Sequence, residues 1–156
     1  MEITILQQNI VWSDPEANRK KADEAINRNP GADLYVLPEM FSTGFCTQPE
    51  GIAESTDSET LAWMKRKAAE TGAAIAGSVA VTKDGKYYNR FYFVKPDGSV
   101  AQYDKKHLFT YGGEHLQFTP GNERVIVEWK GVRILLEICY DLRFPVWARN
   151  RGDYDM

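Results

Sequence analysis

The stretch LLEICYDLRFP at residues 135–145 places a single cysteine, Cys139, between an aliphatic run and a charged segment. The aliphatic residues before Cys139 predict a buried strand, and the polar residues after it predict a turn that ends at Pro145. Side chains at the carboxyl ends of strands in α/β sheets lie at the edge where ligands bind. We therefore expect Cys139 to end a buried strand, either as an inert core residue or as a nucleophile.

The first half of the chain alternates strand and helix. The start of the chain predicts a strand that ends near Trp12, and residues 13–31 predict a helix with a Ser/Asp cap and a Pro-Gly stop. Residues 32–40 predict a short buried strand that ends at Glu39. Residues 57–72 predict a second helix, which is capped by Asp57 or Ser58 and closed by Gly72.

The second half is rich in strands. Residues 73–81, 86–94 and 100–108 predict three antiparallel strands, which are joined by the turn sequences Asp84-Gly85 and 96–98. Residues 124–130 and 132–141 predict two further strands around Lys130-Gly131, and residues 144–152 predict a short helix. The pattern predicts one α/β domain (α+β in its mixed sheet) over residues 1–156. Because residues 152–156 restart an extended pattern, we expect this domain to be incomplete at its C-terminus.

The composition excludes several classes of protein. The chain is 43% hydrophobic and 26% charged, which is typical of a globular protein rather than a disordered one. Its 19 basic and 22 acidic residues form no long block of one sign, so we expect neither nucleic acid nor an anionic membrane as a partner. The N-terminus lacks the basic and apolar regions of a signal peptide, and we expect a cytoplasmic protein. Cys46 and Cys139 lie outside any CxxC pattern, which argues against a disulfide framework and a zinc site.

Three reactive residue types fall at or near predicted strand ends. Glu39 ends the second strand, Lys105 lies late in the strand of residues 100–108, and Cys139 ends the last strand. Together they suffice for acyl transfer, because a carboxylate can take the thiol proton and an ammonium can stabilise the oxyanion that follows. Each residue taken alone also has a structural interpretation. Cys139 can be an inert core thiol, Glu39 a solvated carboxylate and Lys105 a charge at the edge of the sheet.

Four motifs, in order, decide between these interpretations. The stretches LPEMF (37–41), YDKKHLF (103–109), GGEHLQFTPG (112–121) and EICYDLRFP (137–145) resemble the nitrilase superfamily of carbon-nitrogen hydrolases over almost the whole chain. The resemblance implies the N-terminal portion of a four-layer αββα sandwich and one carbon-nitrogen hydrolase domain. It also implies a site that uses no metal and no organic cofactor.

The resemblance assigns roles to individual residues. Glu39 is expected to be the general base, Lys105 the oxyanion-stabilising lysine and Cys139 the nucleophile. Glu114 is expected to orient the lysine and the substrate. Asp104 replaces the basic residue that the family usually carries there, but the register of the motif is clear and implies Lys105 rather than Lys106. Strand alternation agrees with this, because it places the two lysines on opposite faces of the strand.

Residues around these four have less specific expectations. The Tyr140 backbone N–H and the Arg143 side chain are candidates for substrate binding, although Asp141 and Arg143 favour an ion pair that shapes the turn. His107 is expected to be a structural hydrogen-bonding residue, although a Cys-His site is an alternative. The loop aromatics Phe41, Phe45 and Tyr111 are expected to line a pocket. The Asn89 side chain is expected to bridge backbone groups, and Cys46 is expected to be structural.

The predicted function is that of an amidase. The stretches ICYDLRFPVWARN (138–150) and MFSTGF (40–45) are most similar to the ω-amidase branch, which implies cleavage of ω-amides of 2-oxo acids through a cysteine thioester with release of ammonia. Another branch, such as nitrilase or carbamoylase, is an alternative. An inactive truncated fragment serving as a binding or scaffold domain is a second alternative, and a thiol redox protein is a third. The expected partners are a small amide substrate and further copies of the chain, as a homodimer or larger homo-oligomer.

Overall fold

The computed structural model describes residues 1–156 and contains eight strands and three α-helices. In chain order these are β1 Ile3–Ile5, α1 Pro15–Arg28, β2 Leu34–Val36, β3 Glu54–Ser55, α2 Glu59–Thr71, β4 Ala74–Lys83, β5 Lys86–Val94, β6 Val100–Asp104, β7 Ile126–Trp129, β8 Val132–Leu135 and α3 Pro145–Ala148. Three short 3-10 turns lie at Thr110–Gly112, Glu114–Leu116 and Cys139–Arg143.

The main sheet is mixed, as the sequence predicts. Its strand order is β1-β2-β4-β5-β6, and β3 pairs with part of β4. The β1-β2-β4 pairs are parallel, whereas β4-β5 and β5-β6 are antiparallel. Asp84 and Gly85 both have positive φ (51° and 72°) in the β4–β5 turn, which matches the right-handed twist of the hairpin. A second, two-stranded sheet is formed by β7 and β8.

The helices α1 and α2 lie within their predicted boundaries because their caps are specified locally, whereas α3 ends at Ala148 and is shorter than the predicted helix of residues 144–152. The Asp14 side chain accepts a hydrogen bond from the Ala17 N–H at the start of α1. Ser58, rather than Asp57, caps α2, and Gly72 ends it in the left-handed conformation with φ 68°. None of the helices is both long and apolar enough to cross a bilayer.

Apolar side chains divide the structure into three layers. On one face of the main sheet, α1 and α2 contribute Ala22, Ile26, Met64 and Ala68 to a core that also contains Ile75 of β4. On the other face, a second core joins the main sheet to β7 and β8; it includes Leu34, Phe93, Tyr103, Val127 and Ile134. The order is helix, sheet, sheet, which is three of the four layers expected from the family resemblance.

The first strand is shorter than predicted. It ends at Ile5, not near Trp12, because the following backbone leaves the sheet to meet α1. The Asn18 side chain accepts from the Val11 N–H and donates to the Val11 carbonyl, so this backbone is satisfied by a helix side chain instead of a strand. The segment therefore positions α1 rather than extending the sheet.

The strand before Cys139 is also shorter than predicted. β8 ends at Leu135, and Cys139 begins a 3-10 turn instead of ending a strand. The Ile138 N–H donates to a carboxylate oxygen of Asp141, which draws the backbone out of the ladder. Lys105 likewise lies one residue beyond the end of β6.

Candidate active site

Glu39 lies in a tight turn beyond the carboxyl end of β2. The Leu37 N–H still donates to the Ala76 carbonyl (2.7 Å), which extends the link to β4 past the end of the strand. Met40, the next residue after Glu39, has a positive φ of 46°, and its N–H donates to the Ser78 hydroxyl (2.8 Å). These bonds fix the turn and hold the Glu39 side chain at the edge of the sheet.

Lys105 is the buried cation of the site. Its side chain has no exposed surface, and its Nζ donates to Glu39 Oε1 at 2.6 Å and to Glu114 Oε2 at 3.0 Å. Burial acts to lower the pKa of Lys105, but the charges and hydrogen bonds of the two glutamates outweigh it and raise that pKa. The neighbouring Lys106 instead reaches the exposed side chain of Asn122, which agrees with the selection of Lys105.

Glu114 is fully buried behind Lys105. It begins the 3-10 turn that follows Gly113, whose φ is 78°. Its Oε2 accepts from the Phe109 N–H at 2.6 Å as well as from Lys105. The second glutamate is therefore held by the loop backbone and faces the lysine, as expected.

Cys139 is exposed at the mouth of the site. Its φ of 45° lies in the left-handed region, where a residue with a side chain is strained by about 1–2 kcal/mol. Strain of this kind recurs at positions where an active site holds a side chain in place. Desolvation, followed by the charge and hydrogen bond of Glu39, raises the pKa of the Cys139 thiol. The thiol is therefore protonated at neutral pH and has a carboxylate beside it.

Glu39 and Cys139 open onto a cavity of about 720 Å³, with Lys105 and Glu114 buried behind Glu39. Four aromatic side chains and one cation line it together with the carboxylate and the thiol; its lining residues are Glu39, Phe45, Phe109, Tyr111, Cys139, Tyr140 and Arg143. Phe45 and Tyr111 are thus pocket residues, as expected. Phe41 is not, because it is fully buried in the helix-side core, with its ring centroid 5.9 Å from that of Trp63.

The expected ion pair between Asp141 and Arg143 is absent. Asp141 is fully buried and accepts hydrogen bonds from the Tyr103 hydroxyl (2.7 Å) and from the backbone N–H groups of His107 (2.8 Å) and Ile138 (3.1 Å). Because these donors satisfy the carboxylate on the inner side of the turn, Arg143 is left exposed at the cavity.

His107 has the surroundings of a structural residue. Its Nδ1 lies 2.8 Å from Asp141 Oδ1, and its ring stacks on Phe144 with centroids 3.7 Å apart. It is not among the residues that line the cavity around Cys139. The imidazole therefore braces the turn that carries Arg143.

Asn89 has a role that the sequence prediction missed. Its side chain does not bridge backbone; Nδ2 donates to Glu39 Oε1 (2.8 Å) and to Glu114 Oε1 (3.0 Å). In the sequence, Asn89 stands among the aromatic residues of KYYNRFYFV (86–94). Because a buried amide requires a hydrogen-bond partner, this position indicates that Asn89 contacts another polar group. The sequence does not show which partner it finds.

Comparisons with known proteins identify the family of the chain. The family model described as carbon-nitrogen hydrolase matches residues 2–152. The chain belongs to the carbon-nitrogen hydrolase family. Over its whole length it is 48% identical to omega-amidase YafV of Escherichia coli K12, of which it covers 60%. It is 38% identical to the 2-oxoglutaramate amidase of Bacillus subtilis, with 95% of this chain and 59% of that protein covered.

A solved carbon-nitrogen hydrolase shares the fold. The crystal structure of a CN-hydrolase superfamily protein from Xanthomonas campestris, which has an arsenic adduct in its active site, matches with a TM-score of 0.94 and 44% identity. The match covers 97% of this chain and 57% of that one, so the chain has a partial carbon-nitrogen hydrolase fold and spans about 60% of the length of its relatives. No group of three or more His, Cys, Asp or Glu side chains is placed to hold a metal ion.

Proposed function

We propose that the protein is an amidase that cleaves a small carboxamide through a thioester on Cys139, with ω-amides of 2-oxo acids as its substrates. The observation that carries this proposal is the placement of a thiol and a carboxylate on one cavity, with a buried ammonium bonded to that carboxylate. Relatives named omega-amidase and 2-oxoglutaramate amidase support the choice of substrate.

The acylation step uses all three groups. Glu39 accepts the proton of the Cys139 thiol, and the thiolate attacks the carbonyl carbon of the amide. The resulting oxyanion accepts hydrogen bonds from the Lys105 ammonium and the Tyr140 N–H. The C–N bond then breaks, Glu39 returns the proton to the leaving nitrogen, and ammonia departs.

Hydrolysis of the thioester repeats the proton transfers with water. A water molecule gives a proton to Glu39 as its oxygen bonds to the carbonyl carbon, and the C–S bond breaks to release the acid. The proton passes from Glu39 back to the sulfur. Glu114 takes no proton in this scheme; it holds Lys105 in place through the 3.0 Å bond.

Arg143 is the group that favours an acidic substrate. It is exposed, lines the same cavity as Cys139, and is not held by Asp141. A guanidinium can hold a carboxylate through two parallel hydrogen bonds. The 1-carboxylate of a 2-oxo acid placed on Arg143 would direct the amide at the other end of the molecule toward the thiol.

The experiment measures ammonia released from 2-oxoglutaramate, 2-oxosuccinamate and a neutral amide of similar length, with a nitrile and an N-carbamoyl amino acid in the same panel. We expect turnover of the 2-oxo acid amides that disappears in Cys139→Ala and persists in Cys46→Ala, since Cys46 is buried in an apolar cluster. Release from the nitrile or carbamoyl compound alone would move the protein to another branch of the family. Absence of ammonia from every carboxamide would refute the proposal.

A further inference from the structure

We infer that Asn89 is a positioning residue of this site, which fixes the carboxylates of Glu39 and Glu114 in place and decides which oxygen of Glu39 faces the thiol. The inference rests on the proposed function of Glu39 as the base. It assigns to Asn89 a role separate from that of the lysine, although both groups contact the same two carboxylates.

Asn89 occupies a rigid and fully enclosed position. It lies within β5, opposite Ala80 of β4, and is 1% exposed. Its carbonyl accepts the Lys105 N–H at 2.9 Å, so the same residue fixes the backbone of the lysine. Side-chain motion at this point is limited by the sheet on both sides, since β5 pairs with β4 and β6.

The hydrogen bonds define the orientation of the amide. Each of the two Nδ2 protons has one carboxylate acceptor, Glu39 Oε1 and Glu114 Oε1. The opposite orientation would place the amide oxygen against two carboxylate oxygens. Oδ1 is buried and accepts no hydrogen bond from another protein group.

The part-buried carboxylate of Glu39 and the fully buried carboxylate of Glu114 share a single lysine, which contacts one oxygen of each. One such contact does not fix the rotation of a carboxylate. Asn89 donates a second hydrogen bond to each carboxylate without adding a charge, and both groups are thereby held in one orientation.

The same bonds select one oxygen of Glu39 as the base. Oε1 accepts from Lys105 Nζ at 2.6 Å and from Asn89 Nδ2 at 2.8 Å. Two donors occupy the lone pairs of Oε1, which leaves Oε2 to accept the Cys139 proton. Removal of Asn89 frees the Glu39 carboxylate to rotate, so that the thiol loses a fixed acceptor.

The test follows alkylation of Cys139 by a neutral alkyl halide that carries no amide group, as a function of pH, because this rate reports the thiol and its base without requiring any amide substrate. We expect Asn89→Leu to slow alkylation at pH 7 at least tenfold and to move the acid limb of the profile to higher pH. Asn89→Asp, which has the same shape but adds a third carboxylate, should raise the pKa of Cys139 further and slow the reaction more.

Asn18→Leu is the matched control. Asn18 is also a fully buried asparagine whose side chain donates to backbone, here the Val11 and Ser42 carbonyls, away from the cavity. It should lower the melting temperature and leave the alkylation profile unchanged. A folded Asn89→Leu or Asn89→Asp protein with the wild-type profile would overturn the inference.

A second measurement needs no variant. In 15N-labelled wild-type protein the Asn89 side-chain NH2 protons should exchange with solvent far more slowly than those of Asn27, which lies on the exposed surface of α1. Equal exchange rates would overturn the inference even if no Asn89 variant folds. Failure of the wild-type protein to release ammonia would bear on the proposed function alone, since neither readout depends on turnover.

Discussion

Replacement of Lys105 by methionine removes the only cation that touches the two carboxylates and retains most of the side-chain volume. Lys105 is fully buried, as is Glu114, and the Glu39 side chain is 18% exposed. Removing one partner of a buried ion pair leaves an uncompensated charge, which typically costs about 3–5 kcal/mol. We expect a loss of this size in the free energy of unfolding at pH 7.

Lys106→Met is the control, because the adjacent lysine bonds at the surface to Asn122 and an exposed polar contact contributes about 0–1 kcal/mol. The two lysines are adjacent in sequence, but Lys105 is fully buried whereas Lys106 is only half-buried and pairs with no carboxylate. Urea unfolding at several pH values measures both, and ammonia release measures the loss of the proposed oxyanion contact, which we expect to lower the rate by about 10²–10³-fold.

The pH dependence follows from the direction of each pKa. The pKa of Lys105 is raised, so in the wild type its contribution is complete below the ordinary lysine pKa of about 10.4 and is lost only above it. Lys105→Met lacks this contribution at every pH. The difference in the free energy of unfolding between the variant and the wild type should therefore shrink only as the pH rises above about 10.4. An equal loss for Lys105→Met and Lys106→Met, or a loss independent of pH, would refute the buried-cluster explanation.

Three further predictions follow from the surrounding residues. Arg143→Met should raise KM for 2-oxoglutaramate by about 10–100-fold, the equivalent of about 1.5–3 kcal/mol for a charged hydrogen bond, and leave KM for a neutral amide unchanged in steady-state kinetics. Asp141→Asn should lower the free energy of unfolding by about 1–3 kcal/mol, because the buried N–H groups that face it lose an acceptor; a urea midpoint equal to that of the wild type would contradict this. Because the pKa of Cys139 is raised, its alkylation in a Cys46→Ala background should still be increasing at pH 8.5, the ordinary cysteine value, whereas a plateau below that pH would contradict the assignment.

The sequence was sufficient where local chemistry specifies structure. The cap Ser58 and the terminating Gly72 delimit α2, and the Asp84-Gly85 turn sets the β4–β5 hairpin, because each feature depends on a few adjacent residues. The convergence of Glu39, Lys105 and Glu114 was also predictable, although from the motifs that resemble a known family and not from the spacing of the residues alone.

The sequence was insufficient where a distant partner decides the outcome. An alternating pattern predicted a longer β1, but the Asn18 side chain satisfies the Val11 backbone instead of a strand. The opposite charges of Asp141 and Arg143 predicted an ion pair. In the structure, Asp141 instead accepts a hydrogen bond from the hydroxyl of Tyr103, which is distant in the sequence. The left-handed φ of Cys139 was not predicted, because cysteine is not one of the residue types, such as glycine and asparagine, whose presence indicates that conformation.

The covalent intermediate gives the most direct test of the central claim, that Cys139 is the nucleophile of an amide hydrolysis. Wild-type protein is mixed with 2-oxoglutaramate, quenched in acid within the first turnover and digested for mass spectrometry. The account predicts that the peptide carrying Cys139 gains the mass of the amide less ammonia, in step with the ammonia released. Ammonia release with an unmodified Cys139 peptide at every quench time, and with full activity in Cys139→Ala, would contradict it.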